Sequence, residues 1–189
     1  MTLKIIFYII SVIWILSEIL LSRIKRADLE NSIDNYDKHS LIKIWATILF
    51  SLTIGIFVSK FSFGRIEILP YQRFIGLILV VAGLVIRWNA ILKLKKSFTV
   101  DVSVKKDQKI IQDGVYKFVR HPSYSGSLLS FFGLSLIFTN VFTILIITVP
   151  IVFVFLHRIK IEENVLTNVI GTEYFEYAKR TKKIIPFIY

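Results

Sequence analysis

The chain has 189 residues, 54% hydrophobic and 20% charged, with mean hydropathy +0.66, net charge +11 and no cysteine. That hydropathy is well above a water-soluble domain's and points to a membrane protein, in which the positive charge reflects cytoplasmic loops and lipid headgroups, not nucleic acid. The absence of cysteine excludes disulfides and thiolate zinc sites, and the scattered His39, His121 and His157 give no metal cage.

Residues 3–21 are apolar and run into the basic cluster Arg23, Lys25, Arg26. A signal peptide would have a shorter apolar core and a small-residue cleavage site, so this stretch predicts a retained transmembrane helix with Glu18 in its last turn. Residues 22–40 are polar and mixed in charge, hence a loop. Residues 41–59 predict a second span, with Trp45 as an interfacial anchor. A short loop over 60–70, closed by Pro70, leads to a third span at 72–92. Gly76 and Gly83 are small residues there at which helices can approach closely, and Arg87 and Trp88 fall near the exit. Residues 93–120 are the longest irregular stretch and carry eight of the 24 Lys and Arg. Within it 97–104 alternates apolar and polar as an extended segment does, and 108–114 reads as a turn.

Residues 123–157 form an apolar run too long for one ordinary span and short for two, with Asn140 near its middle. Charge decides between the readings. With two spans, residues 22–44, 93–125 and 157–189 share one side of the membrane, and they hold five, eight and six of the 24 Lys and Arg. The positive-inside rule therefore predicts an all-α integral membrane protein with five transmembrane helices. The last two form a helical hairpin, with the N-terminus outside and the C-terminus cytoplasmic. Residues 1–71 supply two N-terminal helices, and residues 72–189 form a core of third helix, loop, hairpin and tail. In the tail Arg158, Glu162 and Glu163 continue the last helix past the membrane and Gly171 breaks it. Residues 173–183 predict a short surface helix, with Lys179, Arg180, Lys182 and Lys183 as a solvated or phospholipid-facing patch.

Two constellations could carry chemistry. Residues 114–126, Gly-Val-Tyr-Lys-Phe-Val-Arg-His-Pro-Ser-Tyr-Ser-Gly, stand where a basic segment gives way to an apolar one. Pro122 suits the first turn of a helix, so Arg120, His121 and Tyr124 cluster at a helix N-terminus, where free N–H groups and the helix dipole attract an anion. Singly each residue reads as a headgroup anchor or a cap; with Tyr116 they predict a ligand site. The second constellation is Arg158 and Glu162, four apart on one helix face. They read either as an ordinary ion pair or as an arginine that meets a carboxylate beside an orienting acid. Both sets flank the hairpin on its cytoplasmic side, so Tyr124 and Arg158 are expected to be neighbours. Glycine-rich nucleotide loops, a Gly-x-Ser-x-Gly elbow and a His-Glu-x-x-His pair are absent.

Gly114-Val115-Tyr116-x-x-Val119-Arg120-His121-Pro122-Ser123-Tyr124, then Arg158-x-x-x-Glu162-Glu163, then Gly171-x-x-Tyr174-x-x-Tyr177 resemble the isoprenylcysteine carboxyl methyltransferases, a family with short five-span prokaryotic-type members. The three blocks in this order are specific together, although the Arg-His-Pro-x-Tyr block is shared with phospholipid N-methyltransferases. The resemblance implies a cytoplasmic pocket, formed by the third loop and the C-terminal segment, that holds S-adenosyl-L-methionine. Its contacts would come from Gln108, Lys109, Ile110, Ile111, Tyr116, His121, Pro122, Ser123, Tyr124 and Glu162. Arg158 would meet the substrate carboxylate and, with Glu162, carry catalysis. The implied partners are an isoprenyl or other lipophilic substrate and membrane lipids, with no metal. At Gln108 the chain departs from many members, which have histidine there; backbone contacts from Ile110 and Ile111 would survive the change. Two alternatives stand beside this reading. One is N-methylation of an amino lipid with Glu162 or Glu163 as base; the other is a non-catalytic lipid-binding membrane protein.

Overall fold

The computed structural model describes residues 2–24, 38–66, 71–94 and 110–189. Gln108, Lys109, Pro70 and the alternating stretch 97–104 lie outside the described residues. Six α-helices make up the described chain: α1 (Thr2–Ile24), α2 (Lys38–Val58), α3 (Gln72–Leu94), α4 (Pro122–Ile137), α5 (Val141–Ile170) and α6 (Thr172–Arg180). A 3-10 turn, Gly114–Lys117, precedes α4. Three helical segments are long and apolar enough to cross a membrane, Ser40–Val58, Gln72–Leu94 and Val141–Ile170. The apolar part of α1, Ile5–Leu21, is shorter, and α4 has 16 residues. At 1.5 Å per residue the 30 residues of α5 reach about 45 Å, longer than the roughly 30 Å hydrocarbon core, so one end must stand clear of it. Its charged residues, from Arg158 to Glu163, mark that end.

α3 and α4 pack through glycine. A Cβ on Gly76 would lie 2.6 Å from the Gly133 carbonyl oxygen, and one on Gly133 would lie 2.6 Å from the Gly76 oxygen. Gly83 and Gly126 face each other in the same way one heptad along. The two helices therefore run antiparallel with backbones in contact at both glycine pairs, and the Ser130 hydroxyl donates to the Val80 carbonyl between them at 3.1 Å. Close approach of this kind replaces the hydrophobic driving force that lipid does not supply. We expect Gly133→Ala to cost about 1–3 kcal/mol, because its methyl meets backbone that cannot yield. A lowered thermal midpoint of the detergent-solubilised protein would show it; an unchanged midpoint would mean that the helices separate freely.

α2 packs along α5. Gly55 admits Ile147, and the Thr143 hydroxyl donates to the Gly55 carbonyl at 3.1 Å. At the other end of α2, Ser40 meets Arg158. Ile44, Ile48, Phe131, Ile147, Ile151 and Phe155 form the buried cluster shared by α2, α4 and α5, with Trp14 of α1 against it. The expected break at Asn140 is present. Thr139 turns with φ 50°, and the Asn140 side chain caps α5 by accepting from the Thr143 N–H at 3.1 Å. Its amide donates to the Phe63 carbonyl at 2.9 Å, which ties the turn between α4 and α5 to the end of α2.

Glu18 and Arg87 differ from expectation. The sequence places each near a helix end; in the fold they form a two-point ion pair between α1 and α3, at 2.6 and 2.7 Å, with side chains 17% and 12% exposed. A charge inside an apolar run finds an opposite charge because lipid offers neither with water.

Candidate functional site

Three segments meet at the start of α4: the 3-10 turn, the charged part of α5, and the chain from α6 to the C-terminus. Gly114 enters the turn with φ 62°, a backbone conformation that disfavours a side chain. Tyr116 is then buried; its hydroxyl donates to the Ala90 carbonyl of α3 at 3.2 Å, and its carbonyl accepts from the Tyr177 hydroxyl at 2.8 Å. One tyrosine thus stitches the turn to α3, and a second stitches α6 to the turn. The chain after α6 continues this strap: Arg120 and His121 donate their N–H groups to the Lys182 and Lys183 carbonyls, at 2.9 and 3.1 Å.

Those bonds alter the expected anion site. The N–H groups of Arg120, His121, Tyr124 and Ser125 all have acceptors within the protein. Tyr124 and Ser125 turn theirs to the His121 carbonyl, both at 3.0 Å. The negative charge attracted to this helix end comes from the protein itself. Glu163 of α5 takes the Arg120 guanidinium on Oε1, His121 Nε2 at 3.2 Å, and Lys183 Nζ on Oε2 at 3.3 Å. Arg120 also donates through Nη1 to the Thr181 and Ala178 carbonyls, at 2.6 and 3.3 Å, and so holds the tail.

Glu162 stands beside this clamp and is more open, its side chain 32% exposed against 15% for Glu163. The Tyr124 hydroxyl donates to Glu162 Oε2 at 2.9 Å and lies by the Arg158 guanidinium, which itself donates to the Ser40 hydroxyl. Arg158 is 2% exposed. The expected neighbourhood of Tyr124 and Arg158 therefore forms, with His121 Nδ1 4.0 Å from Glu162. Tyr116, His121, Pro122, Ser123, Tyr124, Arg158 and Glu162 converge here. Ile110 and Ile111, both half-buried, precede the 3-10 turn.

Tyr174 of α6 adds a ring against Tyr177, with centroids 6.1 Å apart. Its hydroxyl is buried with no hydrogen-bond partner among the described residues. Burial, reinforced by the nearby carboxylates, pushes the phenols of Tyr116 and Tyr174 far above their ordinary value, and burial pushes that of Tyr177 up to about 12. All three are neutral donors at physiological pH. Buried tyrosines thus stand around one partly exposed carboxylate and one buried guanidinium, groups whose chemistry suits a cation and a carboxylate respectively. No group of three or more histidine, aspartate or glutamate residues that could hold a metal occurs among the described residues.

Sequence reasoning missed two supports. Ser40 belongs to α2, and nothing in its surroundings marks it as a partner of Arg158. Arg87 was legible as a charge in an apolar run. Beyond Glu18 it donates through Nη1 to the hydroxyls of Ser123 and Ser127, at 3.0 and 2.9 Å, and so fixes the first turns of α4 from behind.

A family model described as phospholipid methyltransferase matches residues 71–173. The chain is 33% identical over 115 residues to protein-S-isoprenylcysteine O-methyltransferase B of Arabidopsis thaliana, covering 60% of this chain and 58% of that one. It is 35% identical over 120 residues to the probable protein-S-isoprenylcysteine O-methyltransferase of Oryza sativa subsp. japonica, covering 62% and 63%. To the Saccharomyces cerevisiae protein-S-isoprenylcysteine O-methyltransferase it is 32% identical over 139 residues, covering 69% and 58%. Among solved structures it is similar to the eukaryotic intramembrane Ras methyltransferase ICMT (isoprenylcysteine carboxyl methyltransferase), with TM-score 0.58 and 28% identity over 82% of this chain and 55% of that one. The chain spans a little over half the length of that structure and of the Arabidopsis and yeast relatives. Its apolar helices and this likeness make it an integral membrane protein.

Proposed function

We propose that this chain, which belongs to the phospholipid methyltransferase family, is a membrane-embedded methyltransferase whose acceptor is the carboxylate of an isoprenylated cysteine or a similar lipophilic acid. The observation that carries this reading is the meeting of Arg158, Tyr124 and Glu162, since a buried guanidinium beside a half-exposed carboxylate serves an acid acceptor and a cationic donor together. The relatives named for isoprenylcysteine O-methylation support it.

The donor in this reading is S-adenosyl-L-methionine, which when bound supplies a methyl group activated on a sulfonium cation. Tyr116, His121, Pro122, Ser123, Tyr124 and Glu162 would hold it, together with Ile110, Ile111 and, outside the described residues, Gln108 and Lys109. The buried Tyr174 hydroxyl, which has no hydrogen-bond partner among the described residues, and the neighbouring aromatic rings fit a group with spare acceptors and a positive centre.

A carboxylate is already a competent nucleophile, so no residue has to remove a proton. Arg158 would hold and orient the acid through its guanidinium N–H groups, and Ser40 steadies the arginine. Glu162 keeps the Tyr124 hydroxyl oriented and balances the charge of Arg158. Glu163, Arg120 and His121 form the frame that fixes the start of α4.

In this reading α1 and α4 cross the bilayer beside the three longer helices, and α4 and α5 form the hairpin. The N-terminus lies outside, with the pocket and tail cytoplasmic. The distribution of basic residues supports that orientation. Residues 1–71 act as a brace and residues 72–189 as the methyl-transfer core; the family match beginning at residue 71 supports the division.

Transfer of labelled methyl to a farnesylated cysteine analogue and to phosphatidylethanolamine, measured side by side, tests the reading. We expect a base-labile ester on the cysteine analogue and no label on the lipid. The family's description as phospholipid methyltransferase favours the amine as second acceptor. Label on phosphatidylethanolamine alone, with a rate rising steeply with pH, would establish N-methylation by a glutamate base. No transfer and no cofactor binding would leave a lipid-binding protein.

A further inference from the structure

The outer face of α5 carries a groove that the proposed chemistry does not use. It has a volume of about 550 Å³, and its lining includes Phe153, Leu156, His157, Lys160, Glu163 and Lys183. The α5 members recur at the three- and four-residue spacing of one helix face. Arg158 and Glu162 turn toward α4 instead, so an occupant of the groove does not touch them.

The lining changes character along the helix. Phe153 is 67% exposed and Leu156 is half-buried, both in the apolar part of α5. His157 and Lys160 follow within two turns, about 6 and about 10 Å further along the axis from Phe153. Lys183 closes the groove from the tail, where Ile185, Phe187, Ile188 and Tyr189 are all exposed. In a spanning helix this gradient places the apolar floor at acyl-chain depth and the lysines at headgroup depth. Glu163, the acidic residue of the lining, is already paired with Arg120, His121 and Lys183. The charge left for an occupant is positive. Lys160 makes no ion pair among the described residues.

We propose that this groove binds one anionic phospholipid, with the phosphate between Lys160 and Lys183 and the acyl chains along Phe153 and Leu156. Charge complementarity selects the class: two ammonium groups above an apolar floor fit an acidic amphiphile, whereas a neutral zwitterion gains little from them. Each lysine near such a headgroup contributes about a fivefold preference. The groove lies on the other side of Glu163 from His121, does not include Arg158 or Glu162, and its test needs no activity.

Native mass spectrometry of the full chain, exchanged into defined mixed micelles, reads the outcome. We expect one phosphatidylglycerol to be retained in preference to phosphatidylcholine. Lys160→Gln lowers that retention about fivefold. Lys60→Gln, a change of equal charge at the far end of α2, leaves it unchanged. Lys160 is exposed and supports no internal contact, so the variant folds; the tail clamp of Lys183 stays intact. Equal retention of the two lipids overturns the proposal, as does equal loss in both variants, which would mean diffuse attraction. Displacement of the bound lipid by millimolar inorganic phosphate also overturns it, because the groove would then be a free-anion site.

Discussion

Arg158→Ala should reduce methyl transfer by about 100-fold or more while leaving S-adenosyl-L-methionine affinity within a few-fold of the parent. The size follows from the loss of a charge-assisted two-point contact to the acceptor, worth about 3 kcal/mol where water is excluded. The split follows from position. The residues proposed to hold the donor come from residues 108–111, the 3-10 turn, the start of α4 and Glu162, and no described one among them takes a backbone hydrogen bond from the guanidinium. Arg158 is also 2% exposed and anchored on Ser40, so its removal could loosen α2 from α5. Arg158→Lys controls for this. It keeps the charge and most of the volume but lacks the planar fork, and should leave the thermal midpoint near that of the parent while transfer still falls. Equal loss of donor binding and transfer in both variants would mean that the arginine serves the donor, and the assignment of roles would reverse.

Much of the fold was legible because membrane helices declare themselves in one dimension. Apolar runs of about 20 residues between polar stretches are forced by bilayer thickness, and Pro122, Asn140 and Gly171 punctuate them for local reasons: a fixed φ, a side-chain cap and a φ of 70°. Gly76 and Gly83 were legible as points of close approach, although their partners Gly126 and Gly133 emerge only when α3 and α4 are set antiparallel. The site was legible in membership and not in wiring. The sequence shows that Arg120 and His121 precede a helix; it does not show that an acid 42 residues away comes to face them. Glu163 thus brings a carboxylate of the protein itself to that helix end, and Arg120 also clamps the tail. Helix dipole and backbone donors mark a place for negative charge; what supplies that charge is a question of tertiary placement that no local pattern answers.

The strongest test of that placement lies behind the site. Glu18→Ala should destabilise the protein by about 3–5 kcal/mol, read as a lowered thermal midpoint in detergent, because Arg87 is left charged and largely buried without its two-point partner. The bonds from Arg87 to Ser123 and Ser127 cannot replace a carboxylate, since hydroxyls carry no charge. Replacing both residues, Glu18→Leu with Arg87→Leu, removes the stranded charge and should recover most of the loss, as apolar substitutes for buried pairs do. Recovery of stability need not mean recovery of function. In the double variant Ser123 and Ser127 lose the donor that fixes the first turns of α4, so donor affinity should remain weakened, by about tenfold for one charge-assisted hydrogen bond. Stability restored with affinity still low would separate the two duties of Arg87: joining α1 to α3, and setting the start of α4. If Glu18→Ala left the midpoint unchanged, the pair would contribute nothing, and α1 would be held by the contact of Trp14 with Phe131.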